Sequence, residues 1–456
     1  MKYFSSIYVA TALFIAHCTV GGFAWATTPM VSAGIVHSCA LQGNGGVLCW
    51  GDNRYGQLGN NNATYIPTPI EVVGIQNATA VAVNGTQSCA TLGNGAVQCW
   101  GNNSYGQLGN GGTTNTAIPT AVMGINDPAG VSLGGNHTCA LLKSGAIQCW
   151  GDNQLGQLGN GTTTNSSTAI AVSGISNAIA VSAGTFYTCA VLGNGTVQCW
   201  GDFGMGSFRG SAAPVAISGI NDAKSVVVGS LHACALLSNG NVMCWGVNEG
   251  GQLGNGNTIG SLSPVLVTGL TNVTSISATG GNHTCALLRS GELQCWGANY
   301  FGSLGNGGTD QSAIPLSVTG VGVLSSVSAG FNHTCAMLVN SGVQCWGWDN
   351  YGQLGFDSVL GNNQPHATPR AVVGLASVTD TDKVFAWAER IEPQFFGPAG
   401  LTTLSLYGYR LRAYTGGHYL GVNESLSPHL FYLGPLSDNA LLDLNLLSFW
   451  LPLAGP

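Results

Sequence analysis

Three features of the chain predict an all-β fold, a seven-bladed β-propeller followed by a small α+β C-terminal module. Seven units recur at a period of about 50 residues, which suits a propeller or a solenoid. Each unit carries two cysteines ten positions apart, the second within a Cys-Trp-Gly. Each unit also divides into four short strand-like pieces, the strand count of a propeller blade.

The period is set by Cys39, Cys89, Cys139, Cys189, Cys234, Cys285 and Cys335, at steps of 50, 50, 50, 45, 51 and 50 residues. The second cysteines are Cys49, Cys99, Cys149, Cys199, Cys244, Cys295 and Cys345, followed by Trp50, Trp100, Trp150, Trp200, Trp245, Trp296 and Trp346. In the third unit the strand-like pieces are residues 130–133, 137–142 and 146–150. The fourth type, at residues 118–123 just upstream, recurs seven times and ends at residues 368–374. A parallel β-helix is the alternative repeat architecture, but its coils are usually shorter and need no hairpin in every turn.

The two cysteines of a unit flank a tight turn. Pairing Cys39 directly with Cys49 sets Leu41 opposite Val47 and leaves Gly43-Asn44-Gly45 as the loop. A three-residue hairpin loop needs a left-handed residue at its end, and Gly45 supplies it. Gly95, Gly145, Gly195, Gly240 and Gly291 hold the same place, whereas the seventh unit shifts its glycine by one, to Gly342. Directly opposed residues in an antiparallel pair lie close enough for a disulfide.

The N-terminus reads as a secretory signal peptide over residues 1–26. Lys2 supplies the positive charge, residues 7–19 are mostly apolar yet too short to span a bilayer, and Ala24-Trp25-Ala26 fits the small-x-small cleavage rule. Lipidation at Cys18 is the alternative; it calls for a small residue before the cysteine, where His17 stands. Removing Cys18 from the 15 cysteines leaves seven pairs, and export implies a compartment where disulfides persist. A metal reading is weaker, because zinc ligands cluster as C-x₂₋₄-C. The expected location is secreted, periplasmic or cell-surface.

Only 6% of residues are charged, the formal net charge is −7, and the 11 basic residues are scattered. The basic footprint of a nucleic-acid binder is therefore missing. No paired carboxylates, nucleophile elbow, P-loop or HExxH occurs, so neither a catalytic residue nor a cofactor is expected. Past residue 26 no segment reads as a membrane span; residues 441–453 are apolar but short and carry Asp443.

After each Trp-Gly comes a second block, Gly-Asp-Asn-Arg-Tyr-Gly-Gln-Leu-Gly at residues 51–59 and Gly-Asn-Asn-Ser-Tyr-Gly-Gln-Leu-Gly at 101–109. Gly-Gln-Leu-Gly returns at residues 156–159, 251–254 and 352–355, and Gly-Ser-Leu-Gly at 302–305. With the upstream histidine and the Trp-Gly, this pattern resembles the regulator of chromosome condensation repeat family, over about residues 29–380. The resemblance implies a seven-bladed propeller. The fourth unit departs, with Gly-Met-Gly-Ser-Phe-Arg-Gly at residues 204–210 and about five residues fewer, so a trimmed loop or altered edge is expected there.

The repeated residues read as structural. Leu58 and its equivalents should be anchors between blades, and Trp50 and its equivalents should fill the space between sheets. His37, His137, His232, His283 and His333 precede the first cysteine by two, with Gln87 and Tyr187 interrupting the column. A seven-fold ring would hold imidazoles too far apart to share a zinc, so a repeated hydrogen bond between blades is expected instead.

Residues 381–456 differ in composition from the repeats and are read as a separate module, leaving residues 27–380 to the propeller. A helix is expected from residue 380, with Val384, Phe385, Ala388 and Ile391 on its apolar face and Pro393 ending it. Strands are expected at residues 407–414, 418–422 and 430–433, and a closing helix at 441–450. The module resembles one appended to exported proteobacterial proteins; anchoring or sorting is its expected role.

Within the resembled family, intracellular members include exchange factors for the Ran GTPase and chromatin binders. Exported bacterial members include a propeller-type inhibitor of β-lactamases that grips its partner with loops at one end. The export signal and acidic charge favour the second group, so a monomeric protein-binding module is expected. The alternatives are a lyase-like enzyme with a site at the central channel, an exchange-factor activity, and a structural surface protein. Recognition would sit in the varied loops at residues 60–65, 111–116 and 161–166.

Overall fold

The computed structural model describes residues 30–202, 210–356 and 364–375, together with four strands, Phe385–Arg390, Thr402–Leu406, Tyr409–Ala413 and His429–Tyr432. The proposed signal segment, the fourth-unit block, and the strand and helix expected at residues 418–422 and 441–450 lie outside these residues.

Seven four-stranded antiparallel sheets follow one another in chain order. In blade one the strands are Met30–Ala33, His37–Leu41, Val47–Gly51 and Ile66–Glu71. In blade three they are Pro128–Leu133, His137–Leu142, Ile147–Gly151 and Ser166–Ala171. The first strands of successive blades touch all the way round, including Leu324–Ala329 of blade seven against Met30–Ala33 of blade one. These strands therefore surround the axis, and the fourth strands form the outside of the wheel.

The core lies between blades. One cluster joins Leu41, Val47 and Leu58 of blade one to Val81, Val83 and Trp100 of blade two. Ring closure uses the same contact, with Trp50, Val31 and Ala33 of blade one against Met337, Leu354 and Val372 of blade seven. No strand is shared between the first and last blades: blade one takes all four from residues 30–71 and blade seven from 324–371. Closure therefore rests on side-chain packing and cross-blade hydrogen bonds. Six of the seven repeat tryptophans are fully buried and Trp245 is 2% exposed. The repeat leucines Leu58, Leu108, Leu158, Leu253, Leu304 and Leu354 are buried as expected.

All seven C-x₉-C hairpins carry the expected disulfide. Cys39–Cys49, Cys89–Cys99, Cys139–Cys149 and Cys189–Cys199 are bonded, as are Cys234–Cys244, Cys285–Cys295 and Cys335–Cys345. Cys39 pairs with Cys49 and Leu41 with Val47 in the register expected from the turn. The Cα–Cα separation of 4.1 Å is that of the narrow, non-hydrogen-bonded kind of antiparallel pair. Gly45 ends the loop at φ 82°, in the left-handed region. In blade seven the glycine is displaced to Gly342, and Ser341 takes the left-handed conformation at φ 67°.

Inner strands end in a ring of small residues: Gly34, Asn84, Gly134, Gly184, Gly229, Gly280 and Gly330. The backbone crowds there so closely that a Cβ on Gly134, Gly184 or Gly330 would collide with a carbonyl oxygen of the next blade. The one side chain in the ring, Asn84, is buried. Its Nδ2 donates to the Leu133 carbonyl at 2.8 Å, and its Oδ1 lies against Gly280 of blade six, which is not a neighbour of blade two. Asn84 thus fills the axis at this end of the channel.

In the C-terminal segment, the four strands form one antiparallel sheet, in the order Thr402–Leu406, Tyr409–Ala413, Phe385–Arg390, His429–Tyr432. The helix expected across Phe385 and Ala388 is replaced by the strand Phe385–Arg390. Aromatic residues suit a strand, and this one is paired on both sides, Trp387 with Arg412 and with Leu430. Pairing of this kind overrides a helical period read from a few apolar positions.

Candidate protein interface

The described connections between the third and outer strands emerge on one face of the wheel, and each is organised by a buried asparagine or, in blade seven, aspartate. Asn53 accepts a hydrogen bond from the Leu58 amide through Oδ1 at 2.9 Å. Through Nδ2 it donates to Asn60 Oδ1 and to the Asn62 carbonyl, both at 3.0 Å. Asn103, Asn153, Asn248 and Asn299 repeat the bond to the following leucine amide, and Asp349 repeats it in blade seven. One side chain thereby folds the Gly-Gln-Leu-Gly turn and steers the loop beyond it. The loop tips named from sequence are solvent-facing: residues 61–65, 111–115 and 161–165 are all exposed.

The carbonyl before the block leucine, from Gln or, in blade six, from Ser303, accepts from the next blade. Trp100 Nε1 donates to the Gln57 carbonyl at 2.9 Å, and the Ser88 hydroxyl donates to the same oxygen at 2.8 Å. That hydroxyl also meets His37 Nε2 at 2.8 Å. Equivalent contacts join His137 to Thr188, His232 to Thr284, His283 to Thr334 and His333 to Ser38, each at 2.8 Å. Gln87 serves the same purpose in blade two, with Nε2 donating to Thr138 Oγ1 at 3.3 Å. The histidine column is thus a belt of bonds between blades. Burial pushes these imidazoles down, His137, His232 and His333 to about 3 and His37 and His283 to about 4, so they are neutral at pH 7.

Against this regular background, one stretch of the loop face is irregular. Phe301, Trp348, Tyr351, Tyr65 and Arg54 form a continuous patch across blades six, seven and one. The Phe301 and Trp348 rings are 5.6 Å apart, and Trp348 meets Tyr351 edge-on at 5.3 Å. Tyr351 stacks on Tyr65 at 6.0 Å. The Arg54 guanidinium sits over both tyrosines, 5.1 Å from Tyr351 and 5.9 Å from Tyr65. It is aimed by the buried Asp52, which accepts from Nε and, at 2.8 Å, from Nη2; this pairing also raises the Arg54 pKa. Half of the Arg54 side chain and 39% of Tyr65 remain exposed.

Tyr65 lies in a loop expected to carry recognition, but the patch itself spans three blades and is not legible in any one repeat. The available signal was departure from the repeat. Trp348 stands where the other units have Asp52, Asn102, Asp152, Asp202, Val247 and Ala298. Arg54 stands where they have Ser104, Gln154, Glu249, Tyr300 and Asn350. Among the described residues no group of three or more His, Cys, Asp or Glu could hold a metal ion, and no helix is long and apolar enough to cross a membrane.

Two family models, both described as the regulator of chromosome condensation (RCC1) repeat, match the chain. One covers residues 94–141, 144–191, 239–287 and 290–337. The other covers residues 31–57, 129–157, 178–207, 223–252, 273–303 and 324–353. The chain belongs to the RCC1 repeat family. Among solved structures, this RCC1 propeller is similar to Prp20p from Saccharomyces cerevisiae, described with its binding properties to Gsp1p and histones. That match has a TM-score of 0.65 at 18% identity, covering 84% of this chain and 92% of the other. It is also similar to human WBSCR16, at a TM-score of 0.62 and 22% identity, over 68% of this chain and 87% of the other. These likenesses show the fold. Among curated proteins, the human E3 ubiquitin-protein ligase HERC2 is 33% identical over 79 residues, 16% of this chain. The chain matches only 2% of the length of that relative.

Proposed function

We propose that this RCC1 propeller is an exported, non-catalytic protein-binding module that grips its partner with the loop face of blades six, seven and one. The observation that carries this reading is the patch of Phe301, Trp348, Tyr351, Tyr65 and Arg54. Aromatic residues and arginine are the side chains that dominate binding energy at protein interfaces. Phe301 and Tyr351 hold a place that is Tyr55 and Tyr105 in other blades, whereas Trp348, Tyr65 and Arg54 depart from the repeat, where Asp52, Asn115 and Ser104 stand elsewhere; these departures join the aromatics into one patch. The seven disulfides accord with an oxidising compartment, as does the N-terminal sequence. Prp20p, with the same fold, is described as binding Gsp1p and histones. The same architecture here would serve a different partner, one met in the compartment to which the chain is exported.

A non-catalytic role fits the chemistry of the repeats. The imidazoles are buried and committed to hydrogen bonds between blades, and Asn84 fills one end of the channel. The testing experiment is crosslinking in the native compartment, with a photoreactive residue in place of the exposed Tyr55. Capture of one defined protein, lost when Tyr65 is also replaced, is the expected result. Turnover of a polysaccharide or peptide substrate by the purified chain would overturn the reading.

A further inference from the structure

The fourth strand of every blade is an edge, since no described strand pairs with its outer side. An edge presents unpaired amides and carbonyls to other chains, and proline is one residue that blunts it. Six of the seven blades carry proline at one fixed place. Pro69, Pro119, Pro214, Pro264, Pro315 and Pro369 each precede the residue that faces the second cysteine of the blade, as Thr120 faces Cys99 and Val215 faces Cys199. In blade three that place is Ala169, and Ile170 faces Cys149.

The register decides which groups face outward. Cys139 and Cys149 form the narrow kind of pair, with Cα atoms 4.1 Å apart, so the amide and carbonyl of Cys149 point the other way, toward Ile170. Ile170 therefore turns its main-chain groups inward, and the Val172 amide likewise bonds the Ile147 carbonyl at 2.9 Å. Ala169 and Ala171, on either side of Ile170, turn theirs outward. At the other six edges the first of these two residues is proline, which has no N–H and whose ring obstructs pairing. Blade three alone keeps both amides. Its strand Ser166–Ala171 also carries no charge, unlike the outer strands that hold Glu71 and Arg370. The Ala169 side chain packs against the core between blades two and three, and Ile170 against that between blades three and four. Side chains held on both flanks leave the main chain as what this edge presents.

We infer that the outer edge of blade three pairs with the same edge of a second copy of this chain. Ala169-Ile170-Ala171 reads the same in both directions, so a two-fold axis through Ile170 sets Ala169 of one copy opposite Ala171 of the other. Both alanine pairs then exchange hydrogen bonds in each direction, and the two blades become one continuous antiparallel sheet. No like charges meet across this axis, whereas the same pairing at blade one or seven would bring together two copies of Glu71 or of Arg370. Two convex rims touch at one blade each, so the contact is small and the association weak. The monomer expected from the sequence is then the dilute form. Blade three lies across the wheel from blades six and seven, so pairing leaves the aromatic patch of each copy free and makes the module bivalent.

The test is sedimentation equilibrium of the full oxidised chain over about 1 to 500 µM, where a reversible monomer–dimer equilibrium with a Kd of about 20–300 µM is expected. Ala169→Pro, which gives blade three the residue of its six counterparts, should weaken dimerisation at least about tenfold. Ala171→Lys, at an exposed position, should do the same by setting like charges near each other across the axis, with no change of backbone. Tyr65→Ser should leave dimerisation unchanged, which separates this edge from the aromatic patch. Hydrogen exchange compared at low and high concentration should show added protection confined to residues 166–172. A chain that stays monomeric to about 500 µM, or a dimer that both edge variants leave intact, would overturn the inference. So would protection of residues 166–172 that does not vary with concentration, because the edge would then be covered within one chain or not at all.

Discussion

His137 Nε2 lies 2.8 Å from the Thr188 hydroxyl of the next blade, and that hydroxyl donates to the Gln157 carbonyl at 3.1 Å. The hydroxyl has one proton and gives it to the carbonyl, so the imidazole carries its proton on Nε2. Its Nδ1, buried beside Gly134, has no partner. His137→Ala should therefore strand the threonine and open a cavity between blades, lowering stability by about 2–4 kcal/mol. His137→Gln should cost less, because Gln87 already fills this place in blade two. Denaturant titration of the two variants measures the difference; equal stability of wild type and His137→Ala would remove the belt from the account.

The same belt sets a pH dependence. The five imidazoles have folded pKa values of about 3 to 4, below the ordinary 6.5, because burial disfavours the cation. A depressed pKa means that the unfolded chain binds protons first as the pH falls. Their contribution is complete above pH 6.5, shrinks as the pH falls, and is lost once the folded pKa is passed. Each imidazole contributes about 3–5 kcal/mol on this scale. Thermal unfolding between pH 7 and 4 should show the midpoint dropping steeply, with these imidazoles taking up close to five protons on unfolding near pH 5. A flat profile over that range would contradict the neutral, buried belt.

Each disulfide closes a ten-residue hairpin already held by strand pairing. Replacing both Cys139 and Cys149 with serine should cost about 3 kcal/mol in the chain-entropy model. Because each blade has its own bond, loss of one should lower the midpoint without preventing folding, whereas full reduction should act on every blade. Reduced and oxidised chains compared by urea titration provide the check.

Two glycines separate crowding from backbone strain. A Cβ on Gly281 would collide with the Gly330 carbonyl oxygen, whereas Gly174, at φ 73°, has open space around it. Gly174→Ala should cost about 1–2 kcal/mol from its left-handed backbone alone. Gly281→Ala should cost more, since backbone of the next blade must move. Equal costs would show that the axial ring is not tightly packed.

For the interface, Tyr65→Ser and Tyr351→Ala should each weaken capture of the partner at least about tenfold, as expected for aromatic anchors. Tyr65 lies in an exposed loop outside the core clusters, so Tyr65→Ser should leave stability within about 0.5 kcal/mol of wild type. Loss of capture together with loss of stability would assign Tyr65 to packing instead.

What could be read in advance followed from repetition. The Cys39–Cys49 register, the left-handed Gly45, the buried Leu58 and Trp50 columns and the inter-blade histidine bonds were all legible, because each is a local pattern stated many times. The departures were harder. Ser341 replacing a glycine at φ 67° depends on loop geometry, and the strand Phe385–Arg390 is made by partners on either side of it. Asn84 looks like a mere exception in a glycine column until the ring brings Gly280 against it from a blade that is not its neighbour.

By itself, the sequence determined seven disulfide-bonded hairpins and the four-stranded unit around each, since strand register, turn type and cysteine pairing depend on residues within a few positions of one another. Only the tertiary structure decided which exceptions meet. Closing the ring stacks Tyr65 on Tyr351, residues from opposite ends of the propeller. Such contacts depend on the angle between blades summed around the whole wheel, a quantity that no single repeat contains.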